Sequence, residues 1–353
     1  MFHDIKKIGN VYFVLVALTF VVLDGFHSID ALAASTANVL NGQTMGTMYR
    51  VKVNAIKPID TGQLKKEIDD HLELINQSMS PYLADSEISR FNALTQIDQR
   101  LRVSPDFWNV MLTAKRIYQL TDGTWDGTAA PLVNLWGFGP KKKAARVPSQ
   151  KTIRALLPTI GFDLIDMEKG RWLGKKKQNV TLDLSSIAKG YAVDRVAQLL
   201  KEKGFENYLV DIGGEVFAAG HRLDGHPWRV GINRPQRQAP LDAVYQIVSL
   251  SGKALATSGD YRNYFKSGGR FYGHILDPRS GYPVNNGVVS VSILANTCVF
   301  ADGLATGVMV MGVEKGLDLV EHLDQVECLI VTQGSDGRLR DHFSKGFIAE
   351  RPH

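Results

Sequence analysis

Asp302 and Thr306 stand four residues apart in Ala301-Asp302-Gly303-Leu304-Ala305-Thr306-Gly307. On a helix that spacing puts a carboxylate and a hydroxyl on one face. Both are hard oxygen ligands of the kind magnesium accepts while it keeps waters and substrate phosphates in its other positions. Read alone, an Asp near a helix start is more often a cap or a surface group. The second candidate is Leu182-Asp183-Leu184-Ser185-Ser186-Ile187-Ala188-Lys189-Gly190-Tyr191. A strand end feeding a helix start exposes unpaired amides and a positive dipole, and Lys189 adds a charge one turn in. Together these suit a pyrophosphate, although a capped helix with a solvent-facing lysine uses the same residues.

The third candidate runs from Thr124-Trp125-Asp126-Gly127-Thr128 to Leu135-Trp136-Gly137-Phe138-Gly139-Pro140. Its aromatics among glycines can wall a flat ring system, and they serve equally well as plain core residues with turns. The fourth, His274-Ile275-Leu276-Asp277-Pro278, reads as a strand entering a tight turn. His274 has the pKa range for proton transfer, and a histidine at a strand end is also a common structural residue. No Gly-x-Gly-x-x-Gly follows a strand and no Walker-type loop exists, so any nucleotide must be held by other parts.

The elements that position these residues follow from periodicity. Tyr49, Val51 and Val53 alternate with polar neighbours, as in a half-buried strand. Leu64, Ile68, Leu72 and Ile75 recur at helical spacing, as do Phe107, Val110, Met111, Ala114 and Ile117. Val180–Leu182 reads as a strand running into Ser185 and Ser186, which are placed to cap the next helix. Further strands are expected at Tyr208–Ile212, Trp228–Ile232, Val244–Leu250 and Val288–Leu294. A helix is expected near Ala301–Val310, and Asp336-Gly337 marks a late turn. Strands and helices mix without regular βαβ alternation. The expected fold is therefore α+β, with mixed sheets, packed helices and two closely packed lobes, and not a Rossmann arrangement.

The chain has 353 residues, 44% hydrophobic and 22% charged, enough for a large core in one globular unit. Its formal charge of +5 sits partly in Lys141-Lys142-Lys143 and Lys175-Lys176-Lys177. No basic stripe interleaved with aromatics and no zinc-finger spacing appears, so no nucleic-acid partner is expected. Lys6 and Lys7 precede an apolar run from Val11 to Leu23, and Ala31-Leu32-Ala33 offers a cleavage site. Residues 1–33 therefore read as a secretory signal ahead of a domain over 34–353, and the expected location is the periplasm. A signal left uncleaved would tether the chain to the inner membrane. Cys298 and Cys328 are the only cysteines and have no metal-type spacing; an oxidising compartment permits a disulfide between them, and two buried thiols are the expectation.

These segments, in this order, resemble the ApbE-like family of FAD:protein FMN transferases. The likeness extends over Thr44-Met45-Gly46-Thr47, Met79-Ser80-Pro81-Tyr82, Ser86-Glu87-Ile88-Ser89-Arg90-Phe91-Asn92, Asp211-Ile212-Gly213-Gly214-Glu215 and Thr257-Ser258-Gly259-Asp260-Tyr261. The resemblance implies FAD contacts at Met45, Tyr82, Thr124, Trp125, Asp126, Asp183, Lys189 and Leu276. It implies a magnesium ion on the Ser186 carbonyl and the Asp302 and Thr306 side chains. Gly303 and Gly307 stand where relatives often carry alanine, so a looser metal-bearing turn is expected.

The implied reaction moves FMN from FAD to a threonine or serine hydroxyl of an acceptor protein and releases AMP. The side-chain chemistry of His274 makes it the candidate for proton transfer or phosphate positioning, with an acidic residue as the alternative base. The implied acceptors are membrane-bound electron-transfer subunits, which would place the chain beside the inner membrane. Two rivals use the same residues: an FAD pyrophosphatase and a non-catalytic flavin binder. A third, from another class, rests on Ser186-x-x-Lys189, the nucleophile spacing of penicillin-recognising enzymes, with Tyr261-Arg262-Asn263 and Lys266-Ser267-Gly268 mimicking the later motifs.

Overall fold

The computed structural model describes residues 36–139, 146–240, 242–260 and 263–352. The expected signal at 1–33, the lysine run at 141–143, Tyr261 and Arg262 lie outside them.

Eight strands form one sheet in the spatial order Thr36–Thr44, Thr47–Ala55, Asn207–Ile212, Glu215–Ala219, Lys253–Gly259, Val288–Ala295, Glu327–Gln333 and Leu339–Phe343. Every neighbouring pair is antiparallel. An antiparallel sheet needs no crossover helix between neighbours, which is why no βαβ repeat shows in the sequence.

Alternation divides the strand residues between two faces. Tyr49, Val51, Val53, Val210 and Ile212 turn to one side, where the helices Thr61–Met79, Pro105–Leu120, Ala188–Glu202 and Cys298–Met311 cover them in the largest core cluster. Leu209, Val216, Ala218 and Leu255 turn to the other side, onto Trp228, Ile232, Val248 and Leu250 of a two-stranded hairpin. Ser35–His353 is one compact unit with a hydrophobic cluster on each side of the sheet. A smaller cluster of Leu132, Trp136, Ile153 and Leu276 anchors the loops beyond the sheet end.

Two local expectations are corrected. Val180–Leu184 is irregular, not a strand. The Asn92 side chain takes the place of a neighbouring strand: its Nδ2 donates to the Leu182 carbonyl at 2.9 Å, and its Oδ1 accepts from the Leu182 amide at 2.7 Å. Ser185 and Ser186 do not cap the next helix, which begins at Ala188 without a side-chain cap. Ser185 donates instead to Asp183 Oδ1, and Ser186 Oγ accepts from Trp125 Nε1 at 3.0 Å. Cys298 and Cys328 are buried and unpaired.

Candidate active site

The Cys298–Met311 helix is apolar almost all round and lies deep in the core, so its one carboxylate is conspicuous. Asp302 is the fifth residue of that helix and does not cap it. Asp194, from the neighbouring helix, does so by accepting from the Cys298 and Val299 amides at 2.7 and 2.8 Å. Asp302 is thereby released for another task.

Its Oδ2 accepts from the Gly190 amide at 2.9 Å. In a regular first turn that amide would bond to the carbonyl of Ser186, four residues back. Among the described residues no backbone amide bonds to the Ser186 carbonyl, and nothing donates to Asp302 Oδ1. Thr306, one turn beyond Asp302, shares a hydrogen bond of 2.9 Å with Ser258.

These groups line a cleft of about 410 Å³. Tyr82, Thr124, Trp125, Asp126, Asp183, Ser186, Lys189, His274, Leu276, Asp302 and Thr306 all border it. The cleft therefore gathers five stretches of chain that are far apart in sequence. Met45 does not border it. It occupies the turn between the first two strands at a φ of 50°, packed against the main core cluster.

The glycines of the Asp302 helix do not loosen it. The helix runs unbroken from Cys298 to Met311. A Cβ on Gly303 would lie 2.6 Å from Ile117 Cδ1, and one on Gly307 would lie 2.7 Å from Thr121 Cγ2. Both glycines let neighbouring segments close on the helix, and Thr124 Oγ1 then donates to the Gly307 carbonyl at 3.0 Å. Close approach, not flexibility, is what these positions need.

Glu215 was not singled out from the sequence as a site residue, yet it borders the cleft beside Lys189. The two charged ends stand 2.5 Å apart, without the alignment of a regular hydrogen bond to Glu215 Oε2. Burial pushes the Lys189 ammonium down, but the Asp302 and Glu215 charges outweigh it and its pKa rises. The same ammonium cannot satisfy both carboxylates. Burial and then the Asp302 charge raise Glu215 to about 8, and burial raises Asp302 to about 6 against the pull of Lys189. Buried carboxylates in excess over cations, with a carbonyl and a carboxylate oxygen left unbonded, form an oxygen donor set that suits a hard divalent cation. Among the described residues no cluster of three or more His, Cys, Asp or Glu offers a metal site, so substrate or water oxygens would have to complete the shell.

Trp125 is fully buried and directs its indole N–H at Ser186, and Phe138 and Val133 also border the cleft. Asp126 is held by two donors from Thr128, and burial lifts its pKa to about 6. His274 borders the same cleft with its ring edge toward Phe138 at 6.3 Å. Its Nδ1 lies 3.2 Å from the Asn263 carbonyl, an acceptor only, so Nδ1 carries the hydrogen and Nε2 keeps the lone pair of the neutral ring. Burial lowers its pKa. The Ser-x-x-Lys reading fails here, because Lys189 reaches Glu215 and Ser186 Oγ is taken by Trp125.

The fold that positions this cleft, an antiparallel sheet with helices packed on one face, is shared with solved flavin transferases. The ApbE family model matches residues 45–330, and the chain belongs to that family. It is 43% identical over 309 residues to an FAD:protein FMN transferase of Vibrio cholerae, covering 87% of this chain and 91% of that one. It is 35% identical over 340 residues to the FAD:protein FMN transferase of Escherichia coli K12, covering 95% and 96%. The solved flavin transferase ApbE of Vibrio cholerae superposes with a TM-score of 0.80 at 42% identity, over 89% of this chain and 98% of that one.

Proposed function

We propose that this chain transfers the FMN half of FAD to a threonine or serine hydroxyl of an acceptor protein, with magnesium bound at Asp302, Thr306 and the Ser186 carbonyl. The observation that carries the reading is the Gly190–Asp302 hydrogen bond, which leaves the Ser186 carbonyl without a backbone partner among the described residues, in the same cleft as the carboxylate and the hydroxyl of the facing helix. When bound, magnesium supplies a Lewis acid that polarises a phosphoryl oxygen and offsets charge on the leaving group.

The remaining steps fall to side chains. Lys189 stands at the cleft wall, where its charge suits the pyrophosphate, and Glu215 fixes its position. Phe138 and Leu276 offer apolar surface to the isoalloxazine or adenine ring, and Trp125, buried behind the cleft wall, holds Ser186 in place. The acceptor hydroxyl oxygen forms a bond to the FMN phosphorus while the phosphorus–oxygen bond to AMP breaks. AMP leaves with the electron pair, and the hydroxyl proton passes to His274 Nε2. The acceptor is a protein, in our reading an electron-transfer subunit at the inner membrane. The signal-like residues 1–33 support export of the chain to the periplasm.

Incubating the purified chain with FAD, magnesium and an acceptor domain tests this reading. Covalent FMN on the acceptor and AMP in equal amount are expected, with both lost on chelation and in Asp302→Ala. Free FMN with no labelled acceptor would make the chain a pyrophosphatase, and FAD retained without AMP release would make it a flavin binder.

A further inference from the structure

A second groove, of about 550 Å³, lies on the sheet face away from the helices and is bordered by Arg50, Lys52, Asp211, Arg229 and Thr257. Thr257 also borders the FAD cleft, and Gly214 of the groove directly precedes Glu215 of the cleft. The two cavities therefore share a border at Thr257 and lie on either side of the Gly214–Glu215 step. Asp211 is within electrostatic reach of Arg50 and Lys52 on the groove side and of Lys189 on the cleft side.

The groove is cationic. Arg50 and Lys52 form no ion pair with any described residue, and Arg229 reaches only Glu350, at 3.5 Å. Asp211, the single carboxylate bordering the groove among the described residues, accepts from the Gly214 amide at 3.0 Å. Arg50 and Lys52 are alternate residues of the strand Thr47–Ala55 and share its outer face, roughly 7 Å apart. That repeat matches alternate side chains of an extended polypeptide.

A transferase of this kind must bring a hydroxyl carried on a polypeptide up to the FMN phosphorus, and the chain on at least one side of that hydroxyl has to lie somewhere. We propose that the groove seats an extended stretch of the acceptor flanking the recipient hydroxyl, with acidic side chains on Arg50 and Lys52. This rests on the transfer reading above. A chain lying there delivers its hydroxyl past Thr257 without crossing the sheet, while FAD keeps the helix side.

The test uses two short synthetic peptides with the same central threonine, one with Asp and Glu at alternate flanking positions and one with Lys in their place. Transfer is followed by mass spectrometry and binding by fluorescence anisotropy. The acidic peptide is expected to be modified with a kcat/KM about tenfold higher than the lysine peptide, a preference that weakens as salt is raised. The R50E/K52E variant should lose or reverse that preference while its KM for FAD and its acceptor-independent release of AMP stay unchanged. Equal use of both peptides, binding of neither, an unaltered preference in R50E/K52E, or a raised KM for FAD in that variant would each overturn the groove assignment. Failure of the unmodified chain to bind FAD or release AMP is a different result and counts against the transfer reading itself.

Discussion

The Gly190 amide gives its hydrogen to Asp302 Oδ2 at 2.9 Å and withholds it from the Ser186 carbonyl. One hydrogen bond thus ties two helices together and leaves the Ser186 oxygen without a backbone partner among the described residues, in the cleft that the buried carboxylate also lines. The residue has to be glycine, because a Cβ there would meet the Cys298 carbonyl oxygen at 2.4 Å and Asp302 Cβ at 2.8 Å. Gly190→Ala is expected to force the helices apart. Its chemical denaturation midpoint should fall, by about 1–3 kcal/mol of stability, and its magnesium requirement for transfer should rise. A variant with native stability and native magnesium dependence would show that the helix contact is not what sets the site.

Gly307→Ala sets two effects of opposite sign against each other. Alanine favours a helix over glycine by about 1 kcal/mol. The added methyl would lie 2.7 Å from Thr121 Cγ2 and 3.2 Å from Trp125 Cβ. Thr121 cannot simply rotate away, since its hydroxyl is engaged with the Ile117 carbonyl and the Trp125 amide. Overpacking of this kind costs about 1–3 kcal/mol, so net destabilisation and weaker FAD binding through Trp125 are expected. Thermal unfolding with and without FAD measures both, and a stabilised variant would mean that the loop yields.

Lys189 and Glu215 separate folding from binding. Lys189→Ala leaves Glu215 buried without its partner, but Glu215 already sits near 8 and escapes by taking a proton. The stability loss should therefore fall short of the roughly 3–5 kcal/mol of a broken buried pair. The double variant Lys189→Ala/Glu215→Gln should recover stability and still bind FAD poorly, as titration by flavin fluorescence would register. Recovery of FAD affinity in the double variant would assign Lys189 a purely structural role.

The sequence carried this site unevenly. Asp302 and Thr306 could be put on one face because helical spacing is a local property, whereas Trp125 and Asp183 were singled out as contacts only by the resemblance of many common short words in one order, and His274 by its side-chain chemistry. Glu215 was not legible, since its approach to Lys189 depends on how a Gly213-Gly214 hairpin lays one strand beside a helix 26 positions earlier in the chain. The false strand at Val180–Leu182 has a similar cause. Val180 and Leu182 are apolar and buried on either side of Thr181, and the Leu182 backbone is paired, but its partner is the side-chain amide of Asn92, which no periodicity reveals. Gly303 and Gly307 misled in the opposite sense, because propensity describes a helix alone and these glycines answer to its neighbours.

His274 yields the prediction with the clearest pH signature. Burial lowers its pKa, and the Asn263 carbonyl holds the hydrogen on Nδ1, so the neutral ring presents Nε2 as a base. A base works only when unprotonated, so the transfer rate should rise with pH through an apparent pKa below the ordinary histidine value of about 6.5 and then level off. Stability follows the same sign. A histidine with a depressed folded pKa contributes stability that is present above its unfolded pKa and is lost as pH falls through the folded value. His274→Gln should therefore lose most of the transfer rate and its acid limb, with KM for FAD little changed, and should lose less stability than the parent on acidification. If the variant keeps both the rate and the acid limb, another group takes the proton.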